Sequence, residues 1–206
     1  MSVLIKVCGM TRPEQAEAID AMGADFLGFV FAAKSPRRVT ASHVASIAAG
    51  KARRVGVFVE QDAETVKRIM DEAKLDLAQL HGGQDQAFCR AVGPSRVIKV
   101  FWPESRASRQ ALEQDMAGFG DLCAFMLLDA GASGGGHGKS LDFAALAGLN
   151  APRPWLLAGG LTPENAALAL GEAHAAGVDL NSGVEISPGV KDMVKVRHIL
   201  HTLRRA

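Results

Sequence analysis

Eight short apolar runs, each followed by a helical pattern, recur along the chain, and no other feature restricts its fold so severely. The runs fall at residues 4–7, 26–31, 54–59, 77–81, 97–100, 124–128, 155–158 and 178–181. The run at 26–31 is continuously apolar, as a parallel strand covered on both faces is. Helical patterns lie between them, at 13–22, 41–49, 63–74, 85–92, 108–119, around Ala144, from Thr162, and at 191–203. Such alternation calls for a parallel sheet with helical crossovers. The G-x-G-x-x-G fingerprint of an open doubly wound sheet is absent after the first run. Eight units in 206 residues therefore predict an α/β fold, a single closed (β/α)8 barrel over residues 1–206.

Composition narrows the function classes. Lys and Arg number 23 against 22 Asp and Glu, so no charge excess points to nucleic acid or a membrane surface. The 48% apolar content excludes disorder, and no apolar run reaches the ~20 residues that span a bilayer. Residues 1–6 lack the basic and apolar regions of a signal peptide. The three cysteines, Cys8, Cys89 and Cys123, are an odd number without metal-ligand spacing. A reduced, cytoplasmic protein without a metal is expected.

Residues 6–14, K-V-C-G-M-T-R-P-E, read as a strand running into a helix. Thr11 or Arg12 would be the N-cap, Pro13 would sit in the first turn, and Glu14 completes a capping box with Thr11. Cys8 thus falls where strand gives way to loop, facing a helix N-terminus that can lower a thiol pKa below ~8.5. On this stretch alone, a small buried hydrophobe is the simpler reading.

Active sites of β/α barrels lie at the C-terminal ends of the strands. Those ends carry Cys8, Arg37 in the second loop, His81, Asp129, the pair Gly159 and Gly160, and the pair Ser182 and Gly183. Glycines after strands seven and eight suit phosphate, because bare backbone N–H groups approach its oxygens closely. Serving tight turns is their alternative role. Side-chain alternation adds one expectation: with Cys8 inward, Lys6 is inward too, and it needs an acid. Asp179 on strand eight, which closes against strand one, is the first choice. Cys89 and Cys123 are assigned to packing.

Several motifs in order along the chain resemble phosphoribosylanthranilate isomerase. They are K-V-C-G-M-T at 6–11, G-F-V-F with S-P-R at 28–37, V-G-V-F-V at 55–59 and Q-L-H-G at 79–82. L-L-D at 127–129, G-G-H-G-K-S-L-D-F at 135–143, A-G-G-L-T-P-E-N at 158–165, V-D-L-N-S-G-V-E at 178–185 and P-G-V-K-D at 188–192 complete the series. The sequence departs from the family at His137, where Thr or Ser is usual, near Leu141 and Phe143, usually aromatic Phe and Trp, and at Asn181, usually Ser. These departures bear on loop closure over the substrate and leave the implied acid and base in place.

The resemblance implies an Amadori rearrangement of N-(5-phosphoribosyl)anthranilate in tryptophan biosynthesis, with no cofactor. Asp129 would be the general acid, with a pKa raised by burial, and Cys8 the general base. Arg37 is the candidate for the anthranilate carboxylate, since a guanidinium grips carboxylates bidentately. Adjacent Arg38 could take that part, or both could be solvated. His81 would line the pocket or donate to a backbone carbonyl, and His137 is a loop residue rather than a catalyst. The partner is a small sugar phosphate, and the chain is a monomer or a homodimer. Rival readings are an indole-glycerol-phosphate synthase, which would bring catalytic lysines and a glutamate, and a sensor barrel that binds a sugar phosphate without turnover. A histidine-pathway isomerase would put aspartates after strands one and five, where Cys8 and Val100 stand.

Overall fold

The computed structural model describes residues 2–129 and 143–205. The glycine-rich stretch 131–138, with His137, and the segment entering the next helix, with Leu141, lie outside the described residues. Eight strands pair in parallel, each with the next: β1 (Leu4–Val7), β2 (Phe26–Val30), β3 (Arg53–Phe58), β4 (Leu77–Leu80), β5 (Val97–Phe101), β6 (Phe125–Asp129), β7 (Trp155–Ala158) and β8 (Gly177–Leu180). β8 returns to β1, with Lys6 opposite Asp179, so the sheet closes into a barrel. The helices are α1 (Pro13–Ala21), α2 (Ala41–Ser46), α3 (Ala63–Glu72), α4 (Gln86–Val92), α5 (Arg109–Ala117), α6 (Ala166–Ala173) and α7 (Met193–Arg205).

Two apolar layers follow from the two-residue period of the strands. One face of each strand packs against the helices, where Ile5, Val7, Phe29, Phe58 and Leu80 are fully buried beside α1 Ile19, α3 Val66 and α7 Val196. The opposite face fills the barrel with Phe26, Val55, Leu77, Ile98, Leu127 and Leu156. Cys89 and Cys123 belong to the helix-facing layer, and the Cys123 Sγ contacts the Phe119 carbonyl at 3.3 Å. Their assignment to packing holds.

Short polar side chains start the helices as physical chemistry expects. Thr40, Asp62, Asp85 and Ser108 each accept a hydrogen bond from a backbone N–H of the first turn of α2, α3, α4 and α5. The expected capping box at α1 does not form. Arg12 occupies the N-cap without a side-chain bond, and the Thr11 hydroxyl donates to the Gly189 carbonyl at 2.5 Å. Gly189 connects a hairpin not anticipated from sequence, β9 (Glu185–Ser187) paired antiparallel with β10 (Val190–Lys191). Lys191, expected to open the last helix, is a strand residue, and α7 starts at Met193. After β6, the described residues hold only a 3-10 turn at Phe143–Leu146 where a helix was expected.

The predicted contact inside the barrel is present. Lys6 is fully buried and its Nζ lies 2.8 and 2.9 Å from the two carboxylate oxygens of Asp179. Burial, the largest single influence, would lower the Lys6 pKa, but the charges of Asp179 and Cys8 and the hydrogen bonds to them together outweigh it and hold the ammonium above its usual value. Removing one partner of such a pair leaves the other charge stranded, at a cost of about 3–5 kcal/mol. Lys6→Met is thus expected to lower unfolding stability by about 3–5 kcal/mol in urea titrations, and Lys6→Met with Asp179→Leu to recover most of that loss. Equal destabilisation by the single and double variants would refute the pairing.

Candidate active site at the strand ends

Cys8 follows β1 directly and is 4% exposed. Its N–H donates to the Leu180 carbonyl at 2.8 Å, which stitches it to the end of β8. Gly28 on β2 makes room for the thiol, since a Cβ there would lie 2.7 Å from Cys8 Sγ. Burial raises the Cys8 thiol above its ordinary value; the Lys6 and Lys191 charges oppose that rise, and Asp179 adds to it. Burial thus dominates the thiol, with the buried side-chain charges secondary, and the net shift is upward, opposite to the lowering expected from a helix N-terminus.

Asp129 ends β6, half-buried, where an apolar strand meets the barrel mouth. His81, just beyond β4, places Nε2 3.4 Å from an Asp129 oxygen. Gln79 Nε2 stands 3.1 Å from His81 Nδ1, an arrangement that leaves the ring hydrogen on Nε2, toward Asp129. The Trp102 ring meets His81 edge-on at 5.4 Å. Among the described residues the His81 side chain makes no hydrogen bond to a backbone carbonyl, and its Nε2 faces Asp129. Burial pushes the Asp179 carboxyl up and Lys6 opposes that rise, while the Asp129 charge adds to it, so Asp129 and the Lys6 pair share one mouth.

The loop after β2 separates its two arginines. Arg38 is exposed, whereas Arg37 turns inward across Gly9, where a Cβ would come within 2.7 Å of Arg37 Cδ. Arg37 grips Glu185 of β9 through Nε, at 2.9 and 3.1 Å, and Nη2, at 2.6 Å. Lys191 of β10 reaches the same carboxylate at 2.8 Å and Asn181 Oδ1 at 3.2 Å. Burial raises the Glu185 pKa, but hydrogen bonds from Arg37 and Lys191 outweigh it and hold the carboxyl below its usual range. Glu185 and Lys191 were not singled out from sequence, because both fall in a Gly- and Pro-containing stretch without strand alternation.

On the far side of the mouth, Gly159 and Gly160 follow β7 with φ of 102° and 63°, left-handed conformations open to glycine. Ser182 and Gly183 follow β8 in a 3-10 turn, Ser182–Val184. Gly183 packs so closely on Leu161 that a Cβ would fall 2.0 Å from its carbonyl oxygen, so the two loops meet. The first N–H groups of a helical turn have no carbonyl partner within it, and this is the chemistry an anion requires. Among the described residues no cluster of His, Cys, Asp or Glu could hold a metal, and no helix is long and apolar enough to cross a membrane.

A depressed carboxyl pKa contributes stability above the unfolded-state value, which is lost as pH falls through the folded value. The stability difference between the wild type and Glu185→Gln should be complete above the unfolded Glu pKa of ~4.3 and shrink steadily below it. A difference that persists unchanged into strong acid, in denaturant titrations across pH, would contradict the assignment.

A family model described as N-(5'-phosphoribosyl)anthranilate isomerase matches residues 5–202. An enzyme of that name from Desulfovibrio desulfuricans is 52% identical over 194 residues, which are 94% of this chain and 92% of that protein. The one from Maridesulfovibrio salexigens is 49% identical over 196 residues, 95% and 96% of the two chains. A crystal structure of a phosphoribosylanthranilate isomerase in complex with reduced 1-(o-carboxyphenylamino)-1-deoxyribulose 5-phosphate superposes with a TM-score of 0.84. It is 28% identical and covers 99% of this chain and 100% of that one.

Proposed function

The chain belongs to the N-(5'-phosphoribosyl)anthranilate isomerase family, and from that premise we propose that it converts N-(5-phosphoribosyl)anthranilate to 1-(2-carboxyphenylamino)-1-deoxyribulose 5-phosphate. The observation that carries this reading is the placement of Cys8 and Asp129 at the ends of β1 and β6, on one barrel mouth. The reaction needs one proton delivered and one removed, and these two residues supply an acid and a base.

Asp129 gives its proton to the furanose ring oxygen. The bond from that oxygen to C1 breaks as the nitrogen lone pair forms C1=N⁺. The Cys8 thiolate then takes the proton from C2. The C–H electrons become the C1=C2 bond, the π electrons of C1=N⁺ return to nitrogen, and an enolamine results. Loss of the O2 proton and protonation of C1 complete the ketone. His81, with its Nε2 3.4 Å from Asp129, supports the carboxylate left after the first transfer. The excess positive charge of Arg37 and Lys191 over Glu185 favours the thiolate at Cys8.

The remaining residues bind. Gly159 and Gly160, with Ser182 and Gly183, offer backbone N–H groups to the 5-phosphate. Arg37, turned inward, meets the anthranilate carboxylate. The ligand held in the related crystal structure carries both of these anions, which suits a mouth with one cationic and one backbone-amide end.

The test follows consumption of phosphoribosylanthranilate, generated in situ, by its fluorescence. The wild type is expected to turn it over, and Cys8→Ser and Asp129→Asn each to lose at least ~100-fold in kcat. Binding without turnover by the wild type would make the chain a sensor, and full activity in either variant would remove that residue from the mechanism.

A further inference from the structure

The reading above gives Arg37 a carboxylate to hold, yet Arg37 already holds one. Glu185 occupies its Nε and Nη2, and among the described residues no hydrogen bond is made by Nη1. The side chain is fixed on its other flank by Gly9, which leaves no space for a Cβ beneath Arg37 Cδ. A guanidinium held this way loses little freedom when a ligand arrives, and its one uncommitted edge has a defined direction.

An arginine neutralised by a single glutamate would offer an incoming anion no net charge. Lys191 changes that balance. Its side chain is fully shielded from solvent, as Glu185's nearly is, and its ammonium binds the Glu185 oxygen at 2.8 Å. The Gly189 N–H donates to the same oxygen at 3.1 Å. One carboxylate thus serves two cations, and the three side chains together retain a single positive charge. The neighbouring Lys6–Asp179 pair is neutral as a unit and does not cancel it.

We propose that Glu185 and Lys191 are positioning residues that set a preference for substrates bearing an aryl carboxylate: Glu185 locks the Arg37 fork, and Lys191 keeps the locked fork net cationic. This rests on the assignment of Arg37 to the substrate carboxylate. It explains why the β9–β10 hairpin is tied down at its turn, by Thr11 on Gly189, and at its last residue, by Gln15 on the Lys191 backbone. A hairpin that only covered the barrel would not require a buried carboxylate shared between two cations.

The experiment compares kcat/KM for N-(5-phosphoribosyl)anthranilate and for N-(5-phosphoribosyl)aniline, which lacks the carboxylate, in wild type, Glu185→Gln and Lys191→Met. Each variant is expected to lose at least ~10-fold of the wild-type preference for the anthranilate, read as the ratio of the two kcat/KM values, in which any effect of the altered charge on Cys8, common to both substrates, cancels. Lys191→Arg, which keeps the charge, should restore part of the preference. Equal losses on both substrates would mean that the pair merely supports the fold, and an unchanged preference would mean that it does not act on Arg37; either result overturns the proposal. Absence of wild-type turnover on the anthranilate substrate would instead defeat the underlying reading of the site. Should Glu185→Gln fail to fold, Lys191→Met carries the same discrimination alone.

Discussion

The ion pair between Lys6 and Asp179 sits on the seam where β8 closes against β1, and the rest of the site is arranged around it. A barrel interior of this size is filled by side chains, and its apolar packing alone would exclude charge. The pair is tolerated because the two residues are register partners on adjacent strands, so their contact is built by the same hydrogen bonds that close the barrel. Once the charge is inside, everything above it is tuned. Cys8, two residues along the same face, is buried over a lysine, and Asp129 and His81 act on the same aspartate from across the mouth.

A second, separate charge system lies to the side. Arg37, Glu185 and Lys191 come from the loop after β2 and from a hairpin after β8, brought together across 148 residues of sequence. Its surplus positive charge faces two negative groups of the proposed reaction, the thiolate and the aryl carboxylate. The opposite rim would work differently, with backbone geometry at Gly159, Gly160 and the turn Ser182–Val184 taking, in the proposed function, the part that charged side chains take elsewhere. The two ends of a bipolar substrate would thus be told apart by the kind of group that meets them.

Most of the barrel was legible because parallel strands buried on both faces write themselves as apolar runs. Phe26–Val30 and Trp155–Ala158 are plain in the sequence, and Asp129 stands out as the charge that ends one of them. The Lys6–Asp179 contact was legible for a related reason, since strand alternation and barrel closure together leave a buried lysine few partners. The hairpin was not legible: S-G-V-E-I-S-P-G-V-K at 182–191 has turn residues where strands would alternate. The Thr11 side chain misled for a complementary reason. Its spacing to Glu14 satisfies a local capping rule, but the tertiary contact with Gly189 takes the hydroxyl instead. Local rules fail here where a distant loop competes for the same group.

The central claim is that a thiol buried over Lys6 is the base, active only in the molecules where it has ionised. Burial holds the Cys8 pKa above its ordinary value, so the thiolate fraction grows as pH rises. The direct measurement is the rate of Cys8 alkylation by iodoacetamide against pH, resolved by mass spectrometry and set beside the pH profile of kcat/KM. The account predicts that alkylation at Cys8 abolishes turnover, and that its midpoint, above the usual thiol value of ~8.5, coincides with the alkaline limb of the rate profile. Turnover that survives complete alkylation of Cys8, or an alkaline limb unrelated to the thiol midpoint, would contradict it.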